Sequence, residues 1–345
     1  MNDAVERIVL DVHAHQAPIV PDELKEIAGV SWNSVNAVLT VDDHDVGVKA
    51  LFDPRPLLSW MDQNGVEKAW ISIPPPLYRH QLGDGDAHAW AGYVNSGLRR
   101  IAEHHPRHLA PLFHLPVGRP RVALEVARDA SVRGQNRFAA PAGGYDAQVL
   151  SDPALDPLWH VLDAAGAFVF FHPGECADGR LNAFYLSNLL GNPYETAVAI
   201  GHLVFGGVIE RFPNVRFCFA HGGGALPMLA GRFERGFATK RPGIASEGKS
   251  PRALLRTICV DCITHDDGAL DLAERVVGAS NILFGSDWPF PMGLIRPHEQ
   301  LATLDRVRRR RIFCDNPNEL IARHANTSAM ATDRVAGPAT TERLQ

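Results

Sequence analysis

From residue 56 onward the chain alternates between two hydrophobic patterns. Amphipathic stretches, with apolar residues recurring three and four apart, predict helices over 57–63, 86–105, 121–131, 155–165, 188–212 and 268–277, the fifth broken at Gly201 or Gly206. Between them lie short, almost uniformly apolar runs at 69–73, 109–113, 136–140, 167–171, 215–220, 257–262 and 281–285, preceded by one at 8–15. Such runs predict strands buried on both faces, and no hairpin signal joins any two of them. Eight buried strands separated by helices predict an α/β chain whose parallel sheet closes into a (β/α)8 TIM barrel. A doubly wound open sheet is the alternative, but the first strand-to-helix turn lacks the G-x-G-x-x-G of a dinucleotide fold.

Two stretches stand outside this rhythm. Residues 16–54 carry prolines, Trp32 and the cluster Asp42-Asp43-His44-Asp45 without a sustained period. A connection this long inside a compact domain predicts an insertion after the first strand that covers the site, with the acidic cluster as a solvated face. At the other end, Arg308 to Arg311 predict a solvated face and 316–324 a last helix, while 326–345 are small and polar and predict a disordered tail. Residues 1–325 then form a single barrel domain.

Composition narrows the partners. The chain has 345 residues, 46% hydrophobic and 21% charged, enough for one large barrel. A formal net charge of -5 offers no basic excess for nucleic acid or an anionic membrane and leaves small molecules as the expected partners. Five cysteines, an odd number, and no charged segment followed by a long apolar one at the N-terminus predict a reduced, cytoplasmic protein. Cys259 and Cys262 form a C-x-x-C, but in a strand their odd separation puts them on opposite faces, which argues against a redox or zinc pair.

The candidate chemistry sits where the apolar runs end. Asp11, His13 and His15 are two apart on the first run, so all three can share a face and point toward one centre. His172 ends the fifth run, His221 the sixth, and Asp287 follows the eighth. His221 is followed by Gly222, Gly223 and Gly224 and then by a helix with Pro227 in its first turn, a bend that allows close backbone approach and presents helix N-H groups. In a (β/α)8 barrel reactive groups gather at the C-terminal mouth from several strands. Three or four imidazoles and one carboxylate there make a nitrogen-rich donor set that suits Zn2+ first, then Mn2+ or Fe2+.

These residues carry a resemblance. Asp11-x-His13-x-His15, His172, the His221-Gly-Gly-Gly run and Gly285-Ser286-Asp287-Trp288-Pro289 together resemble the amidohydrolase superfamily, in the branch of aminocarboxymuconate semialdehyde decarboxylase and the γ-resorcylate-type decarboxylases. The likeness covers most of 8–325 and is strongest over 190–295. It implies that His13, His15, His172 and Asp287 bind one divalent metal, that His221 and Asp287 handle the proton, and that Arg232 and Trp288 contact a small carboxylic acid substrate. It also implies a homodimer or higher homo-oligomer, with Arg232 acting within its own subunit or across the interface. A mononuclear site is favoured because no lysine lies between Lys68 and Lys240 to hold a second ion. Residues 16–54 contain no arginine where some relatives supply one, which leaves Lys49 or His44 as replacements, and Lys240-Arg241 falls near another basic family position. The implied reaction is non-oxidative decarboxylation of a (hetero)aromatic or unsaturated acid. Hydrolysis of a carbon-carbon, amide or lactone bond is the alternative on the same residues, and a non-catalytic metal-binding protein the remote one.

Overall fold

The structure is a computed structural model that describes residues 6–144, 149–245 and 247–323. All eight expected strands are present: Asp11–His15, Ala69–Ser72, a third in two pieces (Leu109–Pro111 and Phe113–His114), Arg137–Pro141, Phe168–His172, Arg216–Phe219, Cys259–Asp261 and Ile282–Leu283. Every pairing among them is parallel. The first three pair in order, and the second piece of the third continues through the fourth to the eighth. The third strand changes partner around Pro111, which has no N-H to donate. Between the first and eighth strands, Val12 N donates to Phe284 O (3.0 Å), Asp287 N to His13 O (2.8 Å) and His15 N to Trp288 O (2.9 Å).

The side-chain period of two sorts the core into two layers. Val169, Phe171, Phe217 and Phe219 face the helices in the larger apolar cluster. Phe168, Phe170, Cys218 and Ala220 face the other way, into a smaller cluster to which every one of the eight strands contributes. His172 continues the alternation of Phe168 and Phe170, and the Phe170 ring lies 4.7 Å from that of His13, so this inner apolar layer is the floor of the polar cluster. Cys259 belongs to the inner cluster and Cys262 to the outer one, the opposite faces that their odd spacing predicts.

Residues 16–54 correct the expectation of an irregular stretch. They hold an antiparallel three-stranded sheet, Val30–Asn33, Val38–Val41 and His44–Val46, whose strands are too short to show a period in the sequence. Asp42 is not a solvated acid: both its oxygens take the Arg79 guanidinium, at 2.8 and 2.7 Å, while Asp43, His44 and Asp45 are exposed. The basic run is also less solvated than expected, because Arg308 pairs with Asp271 and Glu274. The helix expected over 188–212 is divided, as Asn192–Phe205 and Val208–Arg211, at Gly206 and Gly207, the latter with φ +71°. The last helix runs to residue 323; the tail 326–345 lies outside the described residues.

Candidate metal centre and its cavity

His13, His15, His172 and Asp287, all buried, each present one ligand atom, and these four atoms lie within 4.8 Å of one another. The far side of each imidazole explains why the near sides converge. His13 Nδ1 donates to Asp261 (2.8 Å), His172 Nδ1 donates to Pro173 O (2.7 Å), and His15 Nδ1 lies 3.2 Å from Ser72 Oγ. With Nδ1 occupied, each ring turns its Nε2 lone pair inward. His13 Nε2 and His15 Nε2 are 3.1 Å apart, and both are 3.2 Å from Asp287 Oδ1. His172 Nε2, 3.8 Å from the same oxygen, is buried without a hydrogen-bond partner among the described residues. Lone pairs facing one another around a carboxylate are unfavourable unless a cation sits among them, so the donor set fits a divalent metal.

The electrostatics agree for two of the three rings, His15 and His172. Burial lowers His15, and lowers His172 to about 3, which keeps both imidazoles neutral as ligands must be. Burial also works against charge on His13, but Asp287 and Asp261 on either side outweigh it and raise His13 to about 10. Burial would raise Asp287, yet the charge of the adjoining His13 above all holds it well below the usual carboxylate range.

Asp11 does not join this centre, contrary to the shared-face expectation. The pairing register shifts between Asp11 and Ala14. Its carboxylate instead accepts from His13 N (2.9 Å), Ser286 N (3.0 Å) and Ser286 Oγ (2.5 Å), fixing the turn that carries Asp287. Asp261 was not singled out from the sequence, although an acidic residue inside the apolar run 257–262 is a visible signal. Besides His13 it accepts from Gly222 N (3.0 Å) and Ile263 N (3.1 Å), and so ties the first strand to the bend after His221.

His221 and Asp287 both adopt φ near +56°, rare for residues with a Cβ, which turns their side chains toward each other at the strand ends. His221 Nε2 lies 3.6 Å from Asp287 Oδ2. Gly222 and Gly224 line the cavity above the centre, and the space a Cβ would take is filled by protein: a Cβ on Gly222 would meet Thr264 Cγ2 at 2.6 Å, and one on Gly224 would meet Pro193 O at 2.6 Å. Both also have positive φ, so glycine is required there twice over.

Above the centre opens a cavity of about 720 Å3 that His172, His221 and Asp287 all reach. Its wall mixes apolar Leu189, Ile263, Phe290 and Met292 with neutral polar Asn188, Asn192 and Thr264. Of the substrate contacts the resemblance implies, neither lines it. Arg232 is on the exposed face of the helix Leu226–Ala238, one turn beyond Met228, and Trp288 is buried in the outer core with its neighbour Phe290 in the wall instead. Among the described lining residues none comes from 16–54, so Lys49 and His44 are not there, nor are Lys240 and Arg241. The cavity mouth carries exposed apolar groups: Tyr185 and Met228 in its wall are 63% and 80% exposed, and Phe184, next to Tyr185 in the chain, is 88% exposed. Among the described residues no helix is long and apolar enough to cross a membrane.

Comparison with known proteins places this arrangement. The chain is 28% identical over 314 residues to 2-amino-3-carboxymuconate-6-semialdehyde decarboxylase of Dictyostelium discoideum, covering 86% of this chain and 85% of that one. It is likewise 28% identical over 299 residues to 2-keto-4-carboxy-3-hexenedioate hydratase of a Sphingobium species, covering 81% and 83%. Its fold matches that of a dihydroxybenzoic acid decarboxylase of Polaromonas sp. JS666, solved with manganese and 2-nitroresorcinol, at a TM-score of 0.75 and 18% identity over 91% of this chain and 97% of that one. The amidohydrolase family model matches residues 10–323, from the first strand through the last helix. With its buried histidine and aspartate cluster at the strand ends, the chain belongs to the amidohydrolase family.

Proposed function

We propose that this protein is a metal-dependent, non-oxidative decarboxylase of a small aromatic, heteroaromatic or unsaturated carboxylic acid, built on a closed (β/α)8 barrel with the 16–54 insertion beside its mouth. The observation that carries the reading is the double use of Asp287. Its Oδ1 faces three imidazole nitrogens, while its Oδ2 faces His221 at the cavity wall, so one carboxylate belongs to both the ion site and the substrate site. His13, His15, His172 and Asp287 would hold one divalent ion, Zn2+ by its donor set, with Mn2+ and Fe2+ next. When bound, the ion supplies fixed positive charge where negative charge accumulates as the carbon-carbon bond breaks.

The chain's own residues do the rest. The departing carboxylate leaves as CO2, its bonding electrons stay on the ring or vinyl carbon, and a proton must replace it there. His221 reaches the cavity and has Asp287 as its neighbour, so these two hold and deliver that proton. Phe290, Leu189 and Ile263 keep water from the ring, and Asn188, Asn192 and Thr264 offer uncharged partners to ring hydroxyls or amines. A second copy of the chain seated on the exposed rim of Phe184, Tyr185 and Met228 would cover that apolar surface and set Arg232 at the neighbouring mouth, as a group for the substrate carboxylate.

The test is CO2 release by metal-loaded protein from a panel of hydroxybenzoates, hydroxypicolinates and carboxymuconate semialdehydes. In labelled water, decarboxylation puts deuterium on the carbon that lost its carboxylate. Hydrolysis, with Asp287 as base, would put labelled oxygen into a carboxylate. Hydration, favoured by the Sphingobium relative, would put it into a new hydroxyl. No CO2 from any panel member sinks the decarboxylase reading.

A further inference from the structure

Behind the wall of the substrate cavity, between the ends of the second and third strands, lies a small cavity of about 10 Å3 lined by Tyr78, His80, His114 and Arg119, among others. His114 is 1% exposed and Tyr78 3%. Among the described residues, neither ring nitrogen of His114, nor the Tyr78 hydroxyl, has a hydrogen-bond partner. Each of these three atoms gives up its bonds to water on folding and recovers none from the described protein residues, a cost that protein interiors meet with an ordered water. The placement is not slack. Asn95 clamps the His114 backbone from both sides, accepting from its N-H (2.7 Å) and donating to its carbonyl (3.1 Å). The His114 ring stacks on Tyr78 at 5.7 Å with an interplanar angle of 7°.

We propose that this cavity is a site for a single water molecule, held by the Tyr78 hydroxyl and a ring nitrogen of His114, and that the hydrated pair positions the cavity wall next to His172. The space suits one water and no larger ligand. Burial lowers the His114 imidazole to about 3 and raises the Tyr78 phenol, so the pair presents neutral donors and acceptors, which is what a bridging water needs. The link to the wall is Gly174, two residues beyond His172. It packs so closely on Tyr78 that a Cβ there would lie 2.9 Å from Tyr78 Cδ2, and it lines the substrate cavity. Tyr78 is thus a positioning residue, acting through Gly174.

The water site stands independently of the decarboxylase reading, on which only the kinetic arm of its test rests. Thermal melting of Tyr78→Phe and His114→Leu separates a wet cavity from a dry one. With a bound water, each substitution strands the water and its remaining partner, so each single variant melts lower by about 2 °C and the double variant loses less than the sum. In a dry cavity each substitution removes an unsatisfied polar group and the variant melts higher, which overturns the site. A high-resolution crystal structure of the unaltered protein checks the same point directly: density for one water between Tyr78 and His114 supports it, and an empty cavity overturns it. In metal-loaded enzyme, Tyr78→Phe is expected to lower kcat about tenfold, with KM within about twofold and metal content unchanged. An unchanged kcat overturns the positioning role.

Discussion

The ion side of the site and its mouth are built on opposite principles. On the ion side every group is buried and held from behind: His13 by Asp261, His172 by a backbone carbonyl, and the Asp287 turn by Asp11 through Ser286. At the mouth, apolar side chains of 184–194 and Met228 stand in solvent, and Arg232 touches neither the cavity nor the cluster. A metal tolerates errors of only tenths of an ångström in its ligands, so those must be set by strands of one core. A substrate rim needs only shape and charge, and can be completed by a neighbouring copy.

Four substitutions test that contrast. Asp287→Asn strikes both functions at once, and is expected to lower kcat/KM about 10,000-fold and to weaken metal retention. A full metal complement by elemental analysis would break the claim that this carboxylate is a ligand. His221→Asn should lower kcat about 1,000-fold while the protein keeps its metal. Loss of metal from that variant would move His221 to the ion side. Asp261→Asn leaves all four inward atoms in place but loosens His13, so metal affinity should fall about 10- to 100-fold in a chelator competition. Equal affinity would mean that the strand alone orients the ring. The smallest effect belongs to the mouth: Arg232→Ala should raise KM about tenfold with little change in kcat. An unchanged KM, with a monomer in sedimentation, would assign the whole site to one chain.

Much of the ion side is written in the order of residues. The buried runs at 8–15, 167–171, 215–220 and 281–285 end on His13 and His15, His172, His221 and Asp287, and parallel strands bring such ends to one side. Asp261 was equally visible as an acid in an apolar run, but nothing local says that its partner is His13, 248 residues away. Asp11 shows the converse. Its period-two spacing is correct for a regular strand, and a register shift sends its carboxylate to Ser286 instead. Residues 16–54 hid a small sheet because three- and four-residue strands are shorter than the window in which alternation can be recognised.

By itself, then, the sequence determined the alternation of strands and helices, the polar residues that close the strands, and the glycine bend beside His221, because each follows from a local period or a local backbone need. Tertiary structure alone decided which acid faces the imidazole nitrogens and which acids support the cluster from behind, that Phe290 and not Trp288 faces the cavity, and that Tyr78 and His114 meet in a pocket of their own. Those outcomes depend on which atoms from distant strands come within about 3 Å of each other, and hydrogen bonds at that range are set by packing rather than by order along the chain.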